Sequence, residues 1–74
     1  MKRENFEKVL QAFSERKPWK PFTIELFNGS RIEVNHPEAL TQQGELLVWM
    51  STTNMHSVFE HAAVLRFIDG TGTA

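Results

Sequence analysis

The spacing of the apolar residues changes at two prolines, and this change limits the chain to one helix followed by strands. Before the prolines, apolar residues recur at the i, i+3, i+4, i+7 spacing of an amphipathic helix, at Phe6, Val9, Leu10 and Phe13. After Pro18 and Pro21, apolar residues alternate with polar ones, as in half-buried strands. The sequence therefore predicts a helix over about residues 5–16, N-capped by Asn5, and then a mainly β fold.

The chain is short and has no cysteine, which restricts how it can be stabilised. Its 74 residues predict a single domain over residues 1–74, with the β part over about 22–68 and a frayed tail at 70–74. Because no disulfide can form, and small domains usually need support beyond one thin core, we expect oligomerisation to supply it.

A hairpin with a three-residue loop is predicted around Asn28 and Gly29. A two-residue loop would set Ile24 against Glu33 and turn a carboxylate toward the core. A loop over residues 27–29, with Gly29 in the left-handed region, instead sets Ile24 against Ile32. The second register keeps apolar residues on one face and is the one predicted.

The second half of the chain predicts three more strands, which makes five in all. Residues 36–44 are expected to form a loop with one helical turn, and residues 51–57 a polar turn. The segment 45–50 contains Leu46, Leu47, Val48, Trp49 and Met50, which are apolar on both faces of any strand. Its second face therefore requires cover from the helix or from another subunit. Short strands at 58–60 and 64–68 flank a tight turn at 61–63.

Charge and composition argue against several classes of partner. Eight Lys and Arg residues stand against nine Asp and Glu, for a net charge of −1, so there is no overall basic field for nucleic acid or anionic membrane. No apolar run reaches the ~20 residues of a membrane span. The sequence carries no export signal, and we expect a cytoplasmic protein with no membrane partner.

Catalytic and metal-binding patterns are missing from the sequence. It has no Gly-x-Ser-x-Gly elbow and no phosphate-binding glycine loop. The three histidines, His36, His56 and His61, do not have the spacing of a zinc site. We therefore predict that the protein is not an enzyme, with no catalytic residues, no cofactor and no metal.

Two sets of residues are candidates for binding. A cationic and aromatic segment suits stacking on bases or docking a peptide, and comprises Arg16, Lys17, Trp19 and Lys20. In the alternative interpretation, Trp19 covers one end of the β fold and the lysines provide solubility. An oligomer interface is predicted at Leu47, Trp49, Phe59 and Phe67, although Trp49 fits the core nearly as well.

Two segments resemble the bacterial Sm-like (LSm/Hfq) barrel family. One runs from Ile24 to Val34 through the Asn-Gly turn, and the other is Phe59-Glu60-His61-Ala62 leading into apolar residues 64–68. The resemblance implies an N-terminal helix followed by a five-stranded, strongly bent antiparallel Sm/SH3-like barrel, with ring or pairwise assembly. In that family a Lys and a His in this turn line a pocket for uridine-rich RNA. Here only His61 carries over, because Glu60 occupies the Lys position and would repel phosphate.

A second resemblance covers more of the chain and implies no activity. Residues 18–22, Gly29 and the His36-Pro37-Glu38 step are similar to small uncharacterised bacterial proteins with a Pro-Phe-x-Pro-Phe start and a glycine hairpin. The sequence therefore predicts a non-catalytic, self-associating scaffold or protein-binding module. The alternative is a degenerate Sm-like RNA-binding protein that uses His61 and residues 16–20.

Overall fold

The computed structural model describes residues 1–51 and 55–70, and it begins with one amphipathic helix. Helix α1 spans Arg3–Ser14, two residues earlier at each end than the sequence indicated. Lys2, not Asn5, is the N-cap residue, and its side chain makes no capping hydrogen bond. The helix start is instead held by tertiary contacts, because the Met1 amine donates to the carbonyl oxygens of His61 (3.2 Å) and Val64 (2.7 Å).

Six strands follow in the described residues, so the expectation of five is wrong. They are β1 Phe22–Leu26, β2 Arg31–Val34, β3 Leu40–Gln43, β4 Leu46–Met50, β5 His56–Glu60 and β6 Val64–Asp69. A 3-10 turn, His61–Ala63, joins β5 to β6, where a tight turn was predicted. The additional strand, β3, lies where a loop was expected, and pairs with β4 across a turn at Gly44, whose φ is +63°.

The strands form two antiparallel three-stranded sheets. Sheet 1 has the order β2-β1-β6 and sheet 2 the order β3-β4-β5. A mainly β fold with an N-terminal helix is therefore confirmed. Pairing within residues 1–51 and 55–70 gives two separate sheets and no closed barrel, so the barrel is not confirmed. The rest of the predicted tail, 71–74, lies outside the described residues, and Gly70 donates its N–H to Pro21 O at 3.2 Å.

The predicted register of the first hairpin is confirmed. Ile24 lies opposite Ile32, and Glu25 opposite Arg31. Leu26 N donates to Ser30 O at 2.8 Å and closes the three-residue loop, and Gly29 has φ +88°. The left-handed backbone at Gly29 is what allows this loop length.

Gly29→Ala is expected to lower the free energy of unfolding by about 1 kcal/mol, because an L side chain is strained in the left-handed region. No atom lies within 4 Å of the added Cβ, so backbone strain is the cause to be measured. Gly29→Asn is the matched control and should retain most of the stability, since Asn tolerates this conformation. Urea denaturation followed by tryptophan fluorescence measures both, and equal losses would contradict the turn assignment.

The core lies between α1 and the inner faces of the two sheets. The Phe6 ring contacts Phe67 of β6 at 5.5 Å between centroids, and the Phe13 ring contacts Phe22 of β1 at 5.0 Å. Sheet 2 contributes Leu47 and Phe59, which are both buried. The helix therefore covers the inner face of sheet 1. No helix among the described residues is long and apolar enough to cross a membrane.

Candidate functional site: an exposed apolar sheet face

The outer face of sheet 1 is polar and held by ion pairs across its three strands. Arg66 Nε donates to Glu25 Oε1 at 2.6 Å, and Arg31 Nε donates to Glu25 Oε2 at 3.3 Å. The Glu25 side chain is only 12% exposed between these two guanidinium groups. The hydrogen bond from Arg66 is the main reason that the pKa of Glu25 lies below its ordinary value, against an opposing effect of desolvation. The carboxylate of Glu25 is therefore paired with the guanidinium groups of Arg31 and Arg66 on the same face.

The lowered pKa of Glu25 predicts a loss of stability in acid. A carboxylate with a depressed folded-state pKa contributes stability above its unfolded pKa of about 4.3, and loses it as pH falls through the folded value. Glu25→Gln is therefore expected to flatten the fall in unfolding free energy below about pH 5. Urea titrations from neutral pH into acid measure this fall. Glu38→Gln, at an exposed carboxylate, is the control, and an unchanged slope in Glu25→Gln would contradict the assignment.

The outer face of sheet 2 is apolar and exposed, in contrast to that of sheet 1. The alternation of β4 and the pairing of Val48 with Val58 place four apolar side chains on this face: Leu46, Val48, Met50 and Val58. Leu46 is 48%, Met50 45% and Val58 61% exposed, and Val48 is half-buried. We call these four residues the β4–β5 face. Polar residues surround it, with Thr41 and Gln43 on β3 and His56 and Glu60 on β5.

The four residues predicted as an oligomer interface lie elsewhere. Leu47 and Phe59 are buried in the chain's own core, at 2% and 7% exposure, so a neighbour would not reach them. Phe67 packs under α1. Trp49 is half-buried and joins the two sheets, because its indole N–H donates to Glu33 O at 2.8 Å. The exposed apolar residues of β4 are the alternate set, which the predicted interface did not include.

The Arg16 side chain is occupied by contacts within the chain. Its Nη1 donates to Asp69 Oδ1 at 2.7 Å, its Nη2 donates to Lys20 O at 2.9 Å, and its guanidinium lies 4.6 Å from the centre of the Phe13 ring. The Arg16 hydrogen bond is also the main cause of a lowered pKa at Asp69. Arg16 therefore fixes the end of β6 to the connector rather than pointing freely to solvent.

Trp19 and the two lysines border an open cleft at the end of α1. The Trp19 ring is half-buried and lies 6.2 Å from the Phe22 ring, whereas Lys17 and Lys20 are exposed. The cleft is lined by Ser14, Glu15, Arg16, Lys17, Trp19 and Pro37. Arg16 Nε and Trp19 Nε1 are buried without a protein hydrogen-bond partner in the described structure. Because both atoms are shielded from solvent, a ligand in the cleft would not reach them without side-chain movement.

His61 lies at the opposite end of the helix from this segment. Its Nδ1 is 3.1 Å from Met1 O, and its own carbonyl accepts from the Met1 amine. The 12-residue helix is ~18 Å long and separates His61 from Arg16. The structure therefore does not bring together the two parts of the predicted RNA-contact set.

Comparisons with known proteins do not assign this chain to a family. No family model matches the chain, and the searches of curated proteins and of solved structures found no match. Within residues 1–51 and 55–70, no three His, Asp or Glu side chains lie together as a group suited to a metal ion. The resemblances to known families remain predictions.

Proposed function

We propose that this protein is a non-catalytic interaction module that self-associates through the β4–β5 face and serves as a scaffold. The observation that carries the proposal is the contrast between its two outer sheet faces. The face of sheet 1 holds an Arg–Glu–Arg network centred on Glu25, whereas the centre of the sheet 2 face is apolar and exposed. Large exposed apolar patches with polar rims mark interaction sites, and we expect this smaller face to support only a weak one.

The size of the face predicts a weak association. Two strands of five residues present an area on the order of 200 Å², well below the ~800 Å² per partner of a standard stable interface. Burying the remaining exposed part of four such side chains contributes roughly 1 kcal/mol each per copy. The two copies together contribute about 8 kcal/mol, and association costs at least ~4 kcal/mol in lost freedom, so we expect a dissociation constant of about 1 mM.

Sedimentation velocity over a range of protein concentrations tests the proposal. The weight-average mass is expected to rise from 8.5 kDa toward twice that value as the concentration approaches about 1 mM. A mass that stays at the monomer value at the highest concentration would overturn self-association. In that case a partner of different sequence would be the occupant to look for.

RNA binding is the second candidate, and one observation favours it. Lys17 and Lys20 are exposed beside the half-buried Trp19 ring, an arrangement suited to phosphate and base contacts. Uridine-rich and adenine-rich oligomers at low salt are the probes. Phosphate contacts predict an affinity that falls with increasing salt and is lost in a Lys17→Glu, Lys20→Glu variant. No binding at low salt would remove this candidate.

A further inference from the structure

We infer that the β4–β5 face pairs with a second copy of this chain about a two-fold axis that runs across the strands, so that His56 of each copy lies beside Glu60 of the other. This inference rests on the proposed function and specifies its geometry. It follows from the order of side chains along β5, where the outward residues are His56, Val58 and Glu60.

The face has a different polar group at each end. His56 pairs with Met50 at one end, Glu60 pairs with Leu46 at the other, and Val48 pairs with Val58 at the centre. Both His56 and Glu60 are exposed. The neighbouring strand β3 contributes only uncharged side chains, Thr41 and Gln43, to the same face. Glu45, in the turn before β4, has Arg3 within 3.8 Å, so it has a cation within its own chain.

Two symmetric ways of stacking this face on a copy of itself place these groups differently. With the axis along the strands, both Glu60 carboxylates meet at one end of the interface and both His56 rings at the other. With the axis across the strands, Val58 lies over Val58 of the second copy, Leu46 lies over Met50, and His56 lies over Glu60. Only the second arrangement matches apolar with apolar and sets an imidazole N–H of His56 where it can donate to the Glu60 carboxylate. The first arrangement brings two carboxylates together, and this repulsion disfavours it.

The same residues do not satisfy each other within one chain. His56 and Glu60 are four positions apart on one strand, which separates them by ~13 Å. Any coupling between substitutions at these two positions therefore reports a contact between copies. This separation makes a charge exchange a test of orientation.

The experiment compares the dimer dissociation constants of three variants with that of the unmodified chain by sedimentation equilibrium. His56→Glu places Glu against Glu60 of the second copy and is expected to weaken the dimer about tenfold or more. Glu60→Lys removes the carboxylate that accepts a hydrogen bond from His56 of the second copy and is also expected to weaken the dimer. The double variant, His56→Glu with Glu60→Lys, places opposite charges against each other at both ends, and its dissociation constant is expected to return to within about threefold of the original value.

The possible outcomes test the orientation of the dimer separately from self-association itself. If the double variant recovers the original dissociation constant, the axis across the strands is supported. With the axis along the strands, the double variant would instead place Glu against Glu and Lys against Lys. A double variant weaker than either single variant would overturn the inferred orientation. If the chain dimerises and His56→Glu has no effect, the inferred contact is wrong while the proposed self-association stands. If the unmodified chain does not dimerise, the proposed function itself fails. Circular dichroism verifies that these exposed substitutions leave the fold intact.

Discussion

Phe6→Ala is expected to cost about 3–5 kcal/mol of unfolding free energy, the usual loss for removing a buried aromatic ring. Phe6 is the buried residue of α1, with 1% exposure, and its ring contacts Phe67 on sheet 1. A domain of 74 residues has a total stability of roughly 4–11 kcal/mol. The substitution therefore removes a large share of the stability and brings the chain close to unfolding. Urea denaturation followed by fluorescence of Trp19 and Trp49 measures the loss.

Phe27→Ala is the matched control for this prediction. It deletes the same atoms from the tip of the first hairpin, where the Phe27 side chain is 66% exposed. The expected loss is under about 0.5 kcal/mol, as for most surface substitutions. Similar losses at Phe6 and Phe27 would mean that α1 does not cover sheet 1 as the structure shows.

Val58→Asp is expected to weaken self-association by about 100-fold or more. Val58 lies at the centre of the β4–β5 face, and in a symmetric dimer each copy would contribute one carboxylate to a water-poor apolar centre. Burying unpaired like charges is costly, whereas the same carboxylate is solvated in the monomer. The free energy of unfolding of the monomer should therefore change by less than about 1 kcal/mol. Sedimentation equilibrium measures association, and urea denaturation at low concentration measures the fold.

Leu65→Asp is the control for the position of the interface. Leu65 is also an exposed apolar residue, but it belongs to β6 in sheet 1. The same charge placed there should leave the dissociation constant within about threefold of the original value. If Leu65→Asp disrupts association and Val58→Asp does not, the interface lies on sheet 1 and not on the β4–β5 face.

Local patterns predicted the helix and the first hairpin because each residue there has one consistent role. The i, i+3, i+4, i+7 spacing specified the buried stripe of α1, and matching Ile24 to Ile32 specified the register of β1 and β2. Strand β3 was missed because Thr41, Gln42 and Gln43 are polar on both faces. Its pairing is determined by β4 across the turn, and strand propensity does not indicate it.

The candidate site was predicted in part. The doubly apolar segment correctly indicated that β4 has an apolar second face, but the sequence did not show which alternate set lies inside. Leu47 and Trp49 turn inward, where Trp49 donates to Glu33 O of β2, and this leaves Leu46 and Met50 outside. That choice depends on a contact between the two sheets. Likewise, only the fold shows that His61 and Arg16 lie at opposite ends of α1.

A concentration series of two-dimensional NMR spectra, up to about 1 mM, tests self-association through the β4–β5 face most directly, because it locates the contact surface residue by residue. We predict concentration-dependent shifts at Leu46, Val48, Met50, Val58 and the flanking His56 and Glu60. The amides of Arg31 and Arg66 on sheet 1 should stay unchanged. Shifts confined to sheet 1 or to residues 16–20, or no shifts at all, would contradict self-association through the β4–β5 face.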